Sequence, residues 1–197
     1  MSHSGTLTQN VPYAKTFFGF WLYLLTDVMM FGSLFATYLV LKGGTAGGPS
    51  PQELFHLNRA LGETVILLTS SLLAGFARLE ALRNQTNRAM GLYFLVLLLG
   101  CGFLGMTYLE SAELLSKGYS WEKSAFLSSF FTVIWTHAFH IIAGLIWILV
   151  LLIQLATRGI TFATFRRLSC LTLFWQFLVL IWIFTFTIVY LMGVAGL

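Results

Sequence analysis

The chain has 197 residues, of which 58% are hydrophobic and only 9% are charged, and its formal net charge is +4. Charged residues make up about 25% of an average soluble domain, so this composition excludes a water-soluble fold. It predicts one integral membrane domain, with no room for a second, soluble domain.

Five apolar runs occupy most of the sequence, and each is long enough to cross the ~30 Å hydrocarbon core of a bilayer as a helix. Backbone groups in lipid must satisfy one another, so runs of this length form helices. The predicted fold class is therefore all-α, an integral membrane bundle of five transmembrane helices. The predicted spans are Phe17–Leu41, Ala60–Ala77, Ala89–Leu109, Ala125–Ala156 and Leu171–Gly193.

The segments outside the spans are short and polar. Residues 1–14 are predicted to form an N-terminal cytoplasmic tail, most of it disordered or lying on another subunit, and residues 15–197 the transmembrane domain. The helix breakers of Lys42–Pro51 end the first span. Asn84–Asn87 form a turn, which makes spans two and three antiparallel neighbours.

The distribution of basic residues predicts the orientation of the bundle. One face carries seven basic side chains against a single acid, Glu80, whereas the opposite face carries four basic side chains and four acids. The positive-inside rule places the N-terminus in the cytoplasm and the C-terminus in the periplasm. We interpret the basic residues as topology anchors and expect no nucleic-acid partner, because no arginine–aromatic groove accompanies them. The seven are Lys15, Arg78, Arg83, Arg88, Arg158, Arg166 and Arg167.

Two cysteines and a group of glycines lie within or near the spans. Cys101 and Cys170 are expected to be buried thiols at different depths, with no disulfide and no zinc site, because no CxxC motif occurs. Gly100, Gly102 and Gly105 lie inside the third span, where they are expected to permit close helix approach.

Four ionisable side chains inside the spans require an explanation, because a charge at mid-bilayer costs ~2.5–3.5 kcal/mol on insertion scales. Asp27 lies near the middle of the first span and Glu63 in the first turns of the second. His137 and His140 lie three residues apart on span four, and therefore on one helix face.

Four interpretations of these side chains remain open. They are a haem or metal site, a proton relay, a structural hydrogen bond between Asp27 and a histidine of span four, and a polar groove for lipid head groups or a partner subunit. The last two are compatible and preferred. Two histidines of one helix do not supply axial haem ligands from two helices, and carboxylates at two depths do not form a chain across the membrane. No catalytic, cofactor-binding or metal-ligating residue is assigned.

At these same positions the sequence resembles subunit III of the haem–copper respiratory oxidases. The resemblance covers roughly Lys15–Gly193, and Asp27 takes the place of the family's membrane carboxylate. The five-helix length and the loop Gly44–Pro49, with Glu63 early in the next helix, point to the cytochrome bo-type ubiquinol oxidase branch. The stretches that carry the resemblance are Gly19–Phe31, Phe126–Phe131, Thr136–Gly144 and Phe174–Gly193.

The sequence departs from the family pattern at three positions. Gln176 and Val179 stand where the last helix usually carries a histidine and an aspartate. Thr107 stands where the third span usually carries the first of two glutamates, of which Glu110 remains. Each departure removes an ionisable group from the membrane or its edge.

The resemblance implies a non-catalytic structural and lipid-organising subunit of a proton-translocating ubiquinol oxidase in the bacterial inner membrane. Haems, copper and the reduction of oxygen to water would belong to subunit I. Subunits I, II and IV and phospholipid are the implied partners, with Asp27, Glu63, Glu110, His137 and His140 as structural polar or lipid-cleft candidates. The alternatives are subunit III of a cytochrome c oxidase, the accessory protein of a nitric-oxide reductase and, more distantly, a small membrane transporter.

Overall fold

The structure is a computed structural model that describes residues 4–47, 54 and 57–195, with side chains from Lys15 onward. The described part contains five helices long and apolar enough to cross a membrane, as predicted. After the fifth, the chain continues through a π-helical turn, Phe186–Leu191, into the short α6, Met192–Ala195. The five helices are α1 (Ser4–Leu41), α2 (Leu57–Leu82), α3 (Thr86–Ser116), α4 (Ala125–Arg158) and α5 (Phe162–Thr185).

Two helix starts differ from the predictions. α1 begins at Ser4, so the expectation that the tail is disordered is wrong from that residue onward, and the expectation that it lies on another subunit stays a prediction. α5 begins at Phe162 and not at Leu171, since the Thr161 hydroxyl accepts from the Thr164 N–H at 3.2 Å and caps the helix. The apolar pattern did not show this start, because the first turns of α5 contain basic residues. Such residues are compatible with a helix end, since their long side chains extend readily to water.

The connections that follow α2, α3 and α4 are short, so the helices that they join are antiparallel neighbours. The turn between α2 and α3 is shorter than predicted, because α3 starts at Thr86, and Asn84 takes a left-handed conformation with φ 59°. As predicted, these two helices are packed neighbours. Ser124 caps α4 by accepting from the Leu127 N–H at 3.1 Å, and Gly159, with φ 63°, ends it.

The pairing of α2 with α3 follows from one inward stripe on each helix, spaced alternately by three and four residues. This spacing keeps a stripe facing a single neighbour, and the small residues of α2 allow close approach. The stripe of α2 is Ala60, Glu63, Leu67, Ser70, Ala74, Ala77 and Ala81. The stripe of α3 is Ala89, Tyr93, Val96, Gly100, Phe103, Thr107 and Glu110.

Trp175 of α5 lies where four helices converge, and it is 1% exposed. Its indole N–H donates to the Ser70 Oγ of α2 at 2.9 Å. A Cβ atom added to Gly100 of α3 would lie 2.9 Å from the indole and 2.6 Å from the Leu145 side chain, and one added to Gly144 of α4 would lie 3.1 Å from the indole. The absence of side chains at these two glycines therefore makes room for the tryptophan.

Two predictions about residues on the outward face of α3 are wrong. Cys101 is exposed, so its assignment as a buried thiol is wrong, whereas Cys170 is buried as predicted. Gly100 permits a close approach, but a Cβ at Gly102 or Gly105 would meet nothing within 4 Å. Cys101, Gly102 and Gly105 lie off the inward stripe of α3. A thiol is apolar enough that facing lipid costs it little free energy.

Candidate functional site: polar groups buried between the helices

Asp27 lies on the inward side of α1, 8% exposed, and its Oδ2 has no hydrogen-bond partner among the described residues. Tyr23, one turn earlier, interacts with this carboxyl. One turn later, the ring of Phe31 packs against both histidines of α4, with centroids 5.3 Å from His140 and 6.4 Å from His137. α1 therefore meets the histidines through a phenyl ring.

Each histidine hydrogen-bonds a backbone carbonyl. His137 is fully buried, and its Nε2–H donates to the Leu178 carbonyl of α5 at 3.1 Å. The Nδ1 of His140 lies 2.7 Å from the Thr136 carbonyl, one turn earlier on its own helix. The predicted hydrogen bond from Asp27 to a histidine of this span is therefore wrong. A backbone carbonyl satisfies an imidazole N–H without a charged partner.

Glu63 and Glu110 come together between α2 and α3, at the end of the bundle that carries loop 117–124. Glu63 is 0% exposed and Glu110 7% exposed, and the two carboxyls interact electrostatically. The Tyr190 hydroxyl, from the π-helical turn, donates to Glu110 Oε2 at 2.8 Å. Sequence analysis named the two glutamates as separate candidates. It predicted neither the interaction between them nor the hydrogen bond from Tyr190 to Glu110.

Buried aromatic residues also hydrogen-bond across helix interfaces, and sequence reasoning missed these contacts. Each pairs a hydroxyl or indole N–H with a hydroxyl or carbonyl of another segment, which ties the helices without a charge in the membrane. The sequence feature that could have predicted two of them is the seven-residue spacing of Trp175 and Trp182, which places both indoles on one face of α5. The four contacts are Trp175–Ser70 (2.9 Å), Trp182–Thr64 (3.0 Å), Tyr93–Thr172 (2.8 Å) and Tyr38–Val189 carbonyl (3.4 Å).

The three departures from the family pattern occupy different environments. Val179 is 4% exposed and Thr107 is 2% exposed, so both lie in the packed interior. Gln176 is exposed on the outer surface of α5, 3.9 Å from where a Cβ of Gly75 would lie. At 179 an apolar side chain therefore fills a buried position where the family pattern has a carboxylate.

Charged side chains pair at both ends of the bundle. At the end with loop 117–124, Glu113 bonds Arg59 at 2.7 Å and Lys117 at 2.8 Å. The opposite end carries the turn between α2 and α3, where Arg83 pairs with Glu80 at 2.9 Å. These contacts place charge where helix ends meet water and keep it away from the apolar middle.

An apolar cavity of about 340 Å³ opens between α1 and α5. Its lining suits a hydrocarbon chain more than a polar ligand, because all of the residues that line it are apolar. The larger lining residues are Trp21, Leu24, Phe31, Phe35, Phe177 and Phe184. Across the described residues, no group of three or more histidine, cysteine, aspartate or glutamate side chains could hold a metal ion.

Five helices long and apolar enough to cross a membrane, joined by buried hydrogen bonds, define a small helical membrane protein. The sequence profile of the family described as cytochrome c oxidase subunit III matches residues 2–194. The chain belongs to this family, subunit III of the haem–copper oxidases, as the sequence motifs predicted.

Relatives with several names match most of the chain. The chain is 49% identical over 179 residues to cytochrome bo(3) ubiquinol oxidase subunit 3 of Pseudomonas aeruginosa, covering 91% of this chain and 86% of the relative. It is 43% identical to cytochrome c oxidase subunit 3 of Bacillus sp. PS3 (91% and 87%). It is 42% identical to quinol oxidase subunit 3 of Bacillus subtilis (91% and 88%).

Proposed function

We propose that the chain is the non-catalytic subunit III of a proton-translocating ubiquinol oxidase of the cytochrome bo type. In this proposal it supports the assembly and sustained turnover of subunit I, which carries the haems and copper, and it also neighbours subunits II and IV. The supporting observation is the 49% identity to the Pseudomonas aeruginosa ubiquinol oxidase subunit over nearly the whole chain. The membership of the family removes the small-transporter alternative.

A cytochrome c oxidase is the second candidate for the complex. The 43% identity to the cytochrome c oxidase subunit of Bacillus sp. PS3 supports it, because relatives with either donor lie within a few per cent of one another. The electron donor is bound by other subunits in this proposal, so the chain itself carries little information about it.

The donor is tested by purifying the complex in mild detergent through a tag at the N-terminus. Reduced-minus-oxidised spectra of the eluate report haem, and oxygen uptake is measured with ubiquinol and with reduced cytochrome c. Haem bands with ubiquinol-driven uptake support the first proposal, and uptake with cytochrome c alone supports the second. A haem-free eluate from membranes with active oxidase would contradict both.

The lipid-organising role is assigned to the apolar cavity between α1 and α5. A matched pair of substitutions tests it, because Gly32 lines the cavity whereas Gly19 does not, and a Cβ on either would meet nothing within 4 Å. Gly32→Leu should lower the number of phospholipids that remain bound after delipidation, and Gly19→Leu should not. Native mass spectrometry counts the lipids, and equal counts in both variants would contradict the role.

The orientation follows from the basic residues at the end of the bundle with the α2–α3 turn. We propose that this end faces the cytoplasm and that the C-terminus faces the periplasm of the inner membrane. Single cysteines at Asn84 and Trp121, both exposed and at opposite ends, test this in a background without Cys101 and Cys170. A membrane-impermeant thiol reagent applied to intact spheroplasts should label position 121 and leave position 84 unlabelled. The reverse pattern would invert the topology.

The five polar candidates are proposed to be structural. His137 joins α4 to the backbone of α5, and Glu110 joins α3 to the π-helical turn. The hydrogen bond of His140 stays within α4, and Oδ2 of Asp27 has no hydrogen-bond partner among the described residues. In this proposal none of the five contacts a haem, a copper ion or the electron donor.

A further inference from the structure

Glu63 has an environment that suits a carboxylic acid and not a carboxylate. It is 0% exposed, and neither Oε1 nor Oε2 has a hydrogen-bond partner among the described residues. An ionised carboxylate in this position would lose its hydration and receive no donor in exchange, which is among the costliest arrangements in a protein interior. The neutral acid avoids that cost.

The neighbouring carboxyl, Glu110, receives the donor that Glu63 lacks. The Tyr190 hydroxyl donates to its Oε2 at 2.8 Å. Two carboxyls that interact in a poorly solvated site do not both ionise, and the one with a hydrogen-bond donor keeps the charge. Glu110 is therefore the ionised member, and Glu63 is the member that holds a proton.

The charges around the pair also balance when Glu63 is neutral. Arg59 and Lys117 supply two positive charges, and both pair with Glu113. Glu113 and ionised Glu110 supply two negative charges, so the group is neutral without a charge on Glu63. Tyr38 of α1 faces Tyr190 and adds a neutral phenol.

A recess of about 400 Å³ opens near the pair. Arg59, Met106, Leu109 and Glu113 line this recess. Arg59 precedes Glu63 by one helical turn and Glu113 follows Glu110 by about one, so the lining lies roughly 5 Å along the helix axes from the two carboxyls.

We propose that Glu63 and Glu110 form a proton-binding site, in which one proton resides on Glu63 and exchanges with water through the recess lined by Arg59, Met106 and Glu113. The exchange is a simple protonation, in which the Glu63 O–H bond breaks to water and re-forms from hydronium, with no redox partner. It does not depend on which electron donor the complex uses.

Infrared difference spectroscopy of the purified complex tests the position of the proton. The carbonyl band of a protonated carboxylic acid should be present at neutral pH, should shift on transfer to deuterium oxide, and should be lost in Glu63→Gln. It should remain in Glu110→Gln. Asp27→Asn serves as the control, since Asp27 is the other carboxyl buried within the described spans. A band that survives in Glu63→Gln, or that disappears only in Asp27→Asn, would overturn the assignment.

Glu63→Gln matches the shape of the neutral acid and should fold, and a labelling experiment on the unmodified protein removes any dependence on the variant. Labelling glutamate with carbon-13 should shift the band, whereas labelling aspartate should not. Loss of the band on adding sodium would show a cation site in place of a proton site and would overturn the proposal.

The route is tested by the rate of hydrogen–deuterium exchange of the same band. Met106→Trp, within the recess, should slow the exchange at least several-fold without removing the band. Tyr108→Trp, exposed on the outer face of α3 and outside the recess, is the matched control and should leave the rate unchanged. Equal rates in the two variants would rule out this recess as the route.

Discussion

The indole N–H of Trp175 donates to the hydroxyl of Ser70 at 2.9 Å, and both side chains are buried. One residue of α5 thus provides a polar link to α2 and fills the space left by the glycines of α3 and α4. In lipid, apolar surface alone does not favour helix association over contact with acyl chains, so packing and interhelical hydrogen bonds must supply the specificity.

Ser70→Ala should destabilise the bundle, because it leaves the Trp175 indole N–H buried without an acceptor. The expected loss is about 0.6 kcal/mol, the average for interhelical hydrogen bonds in membranes, and at most about 1.7 kcal/mol. The neighbouring Thr69→Ala is the matched control, since its exposed hydroxyl bonds only the Val65 carbonyl of its own helix. Thermal unfolding in detergent measures both, and a drop in midpoint that is no larger for Ser70→Ala would contradict the role of the contact.

Gly100→Ala should destabilise the protein through overpacking. The new methyl group would lie 2.6 Å from Leu145 and 2.9 Å from Trp175, and overpacking of this kind costs about 1–3 kcal/mol. Gly102→Ala, where a Cβ meets nothing within 4 Å, should be neutral or slightly stabilising because alanine favours a helix. The same unfolding measurement separates the two, and equal effects would show that the tryptophan moves aside.

Asp27→Leu should retain the subunit in the complex. No hydrogen bond joins Asp27 to a histidine, so its replacement leaves neither imidazole without a partner. One carboxyl oxygen of Asp27 has no partner, and Tyr23, which interacts with the carboxyl, is exposed, so an apolar replacement leaves no buried polar group without a partner. Co-purification of the variant with the other subunits checks this, with Asp27→Asn as the conservative comparison. Loss of the leucine variant alone would mean that the carboxyl has a polar partner in the assembled complex.

His137→Ala should destabilise the bundle more than His140→Ala. Removing His137 deletes a fully buried ring and the hydrogen bond to the Leu178 carbonyl, whereas His140 is half-buried and bonds within its own helix. Large-to-small changes at buried sites cost about 2–5 kcal/mol, and the second variant should cost much less. Unfolding midpoints compare them, and an inverted order would assign the structural role to His140.

The five helices were predictable, because in lipid an apolar run of sufficient length has no alternative to a helix. The pairing of α2 with α3 was predictable from the short turn between them. The partner of each buried polar group was harder to predict. A spacing of three places His137 and His140 on one face, but Phe31 and Asp27 share a face of α1 just as well. Only packing decides that the phenyl ring contacts the histidines.

The start of α5 and the contact between Tyr190 and Glu110 could not be predicted, for a different reason. Arginines in the first turns of α5 lower its local hydropathy, so its start at Phe162 was not visible in the apolar pattern. Tyr190 carried no signal at all, because a regular helix cannot be distinguished in sequence from one that contains a π-helical turn.

That π-helical turn has an evolutionary consequence. Turns of this type correspond to a single extra residue accommodated within an α-helix, and each residue rotates the chain about 100° around the axis. Removing one residue from Phe186–Leu191 would restore a regular helix, and the residues of the turn would then lie on different faces of that helix. Tyr190 would then lose Glu110, and Val189 would lose its bond from Tyr38. The length of this segment is therefore under tighter constraint than its composition, and we expect insertions and deletions here to be tolerated less well than substitutions.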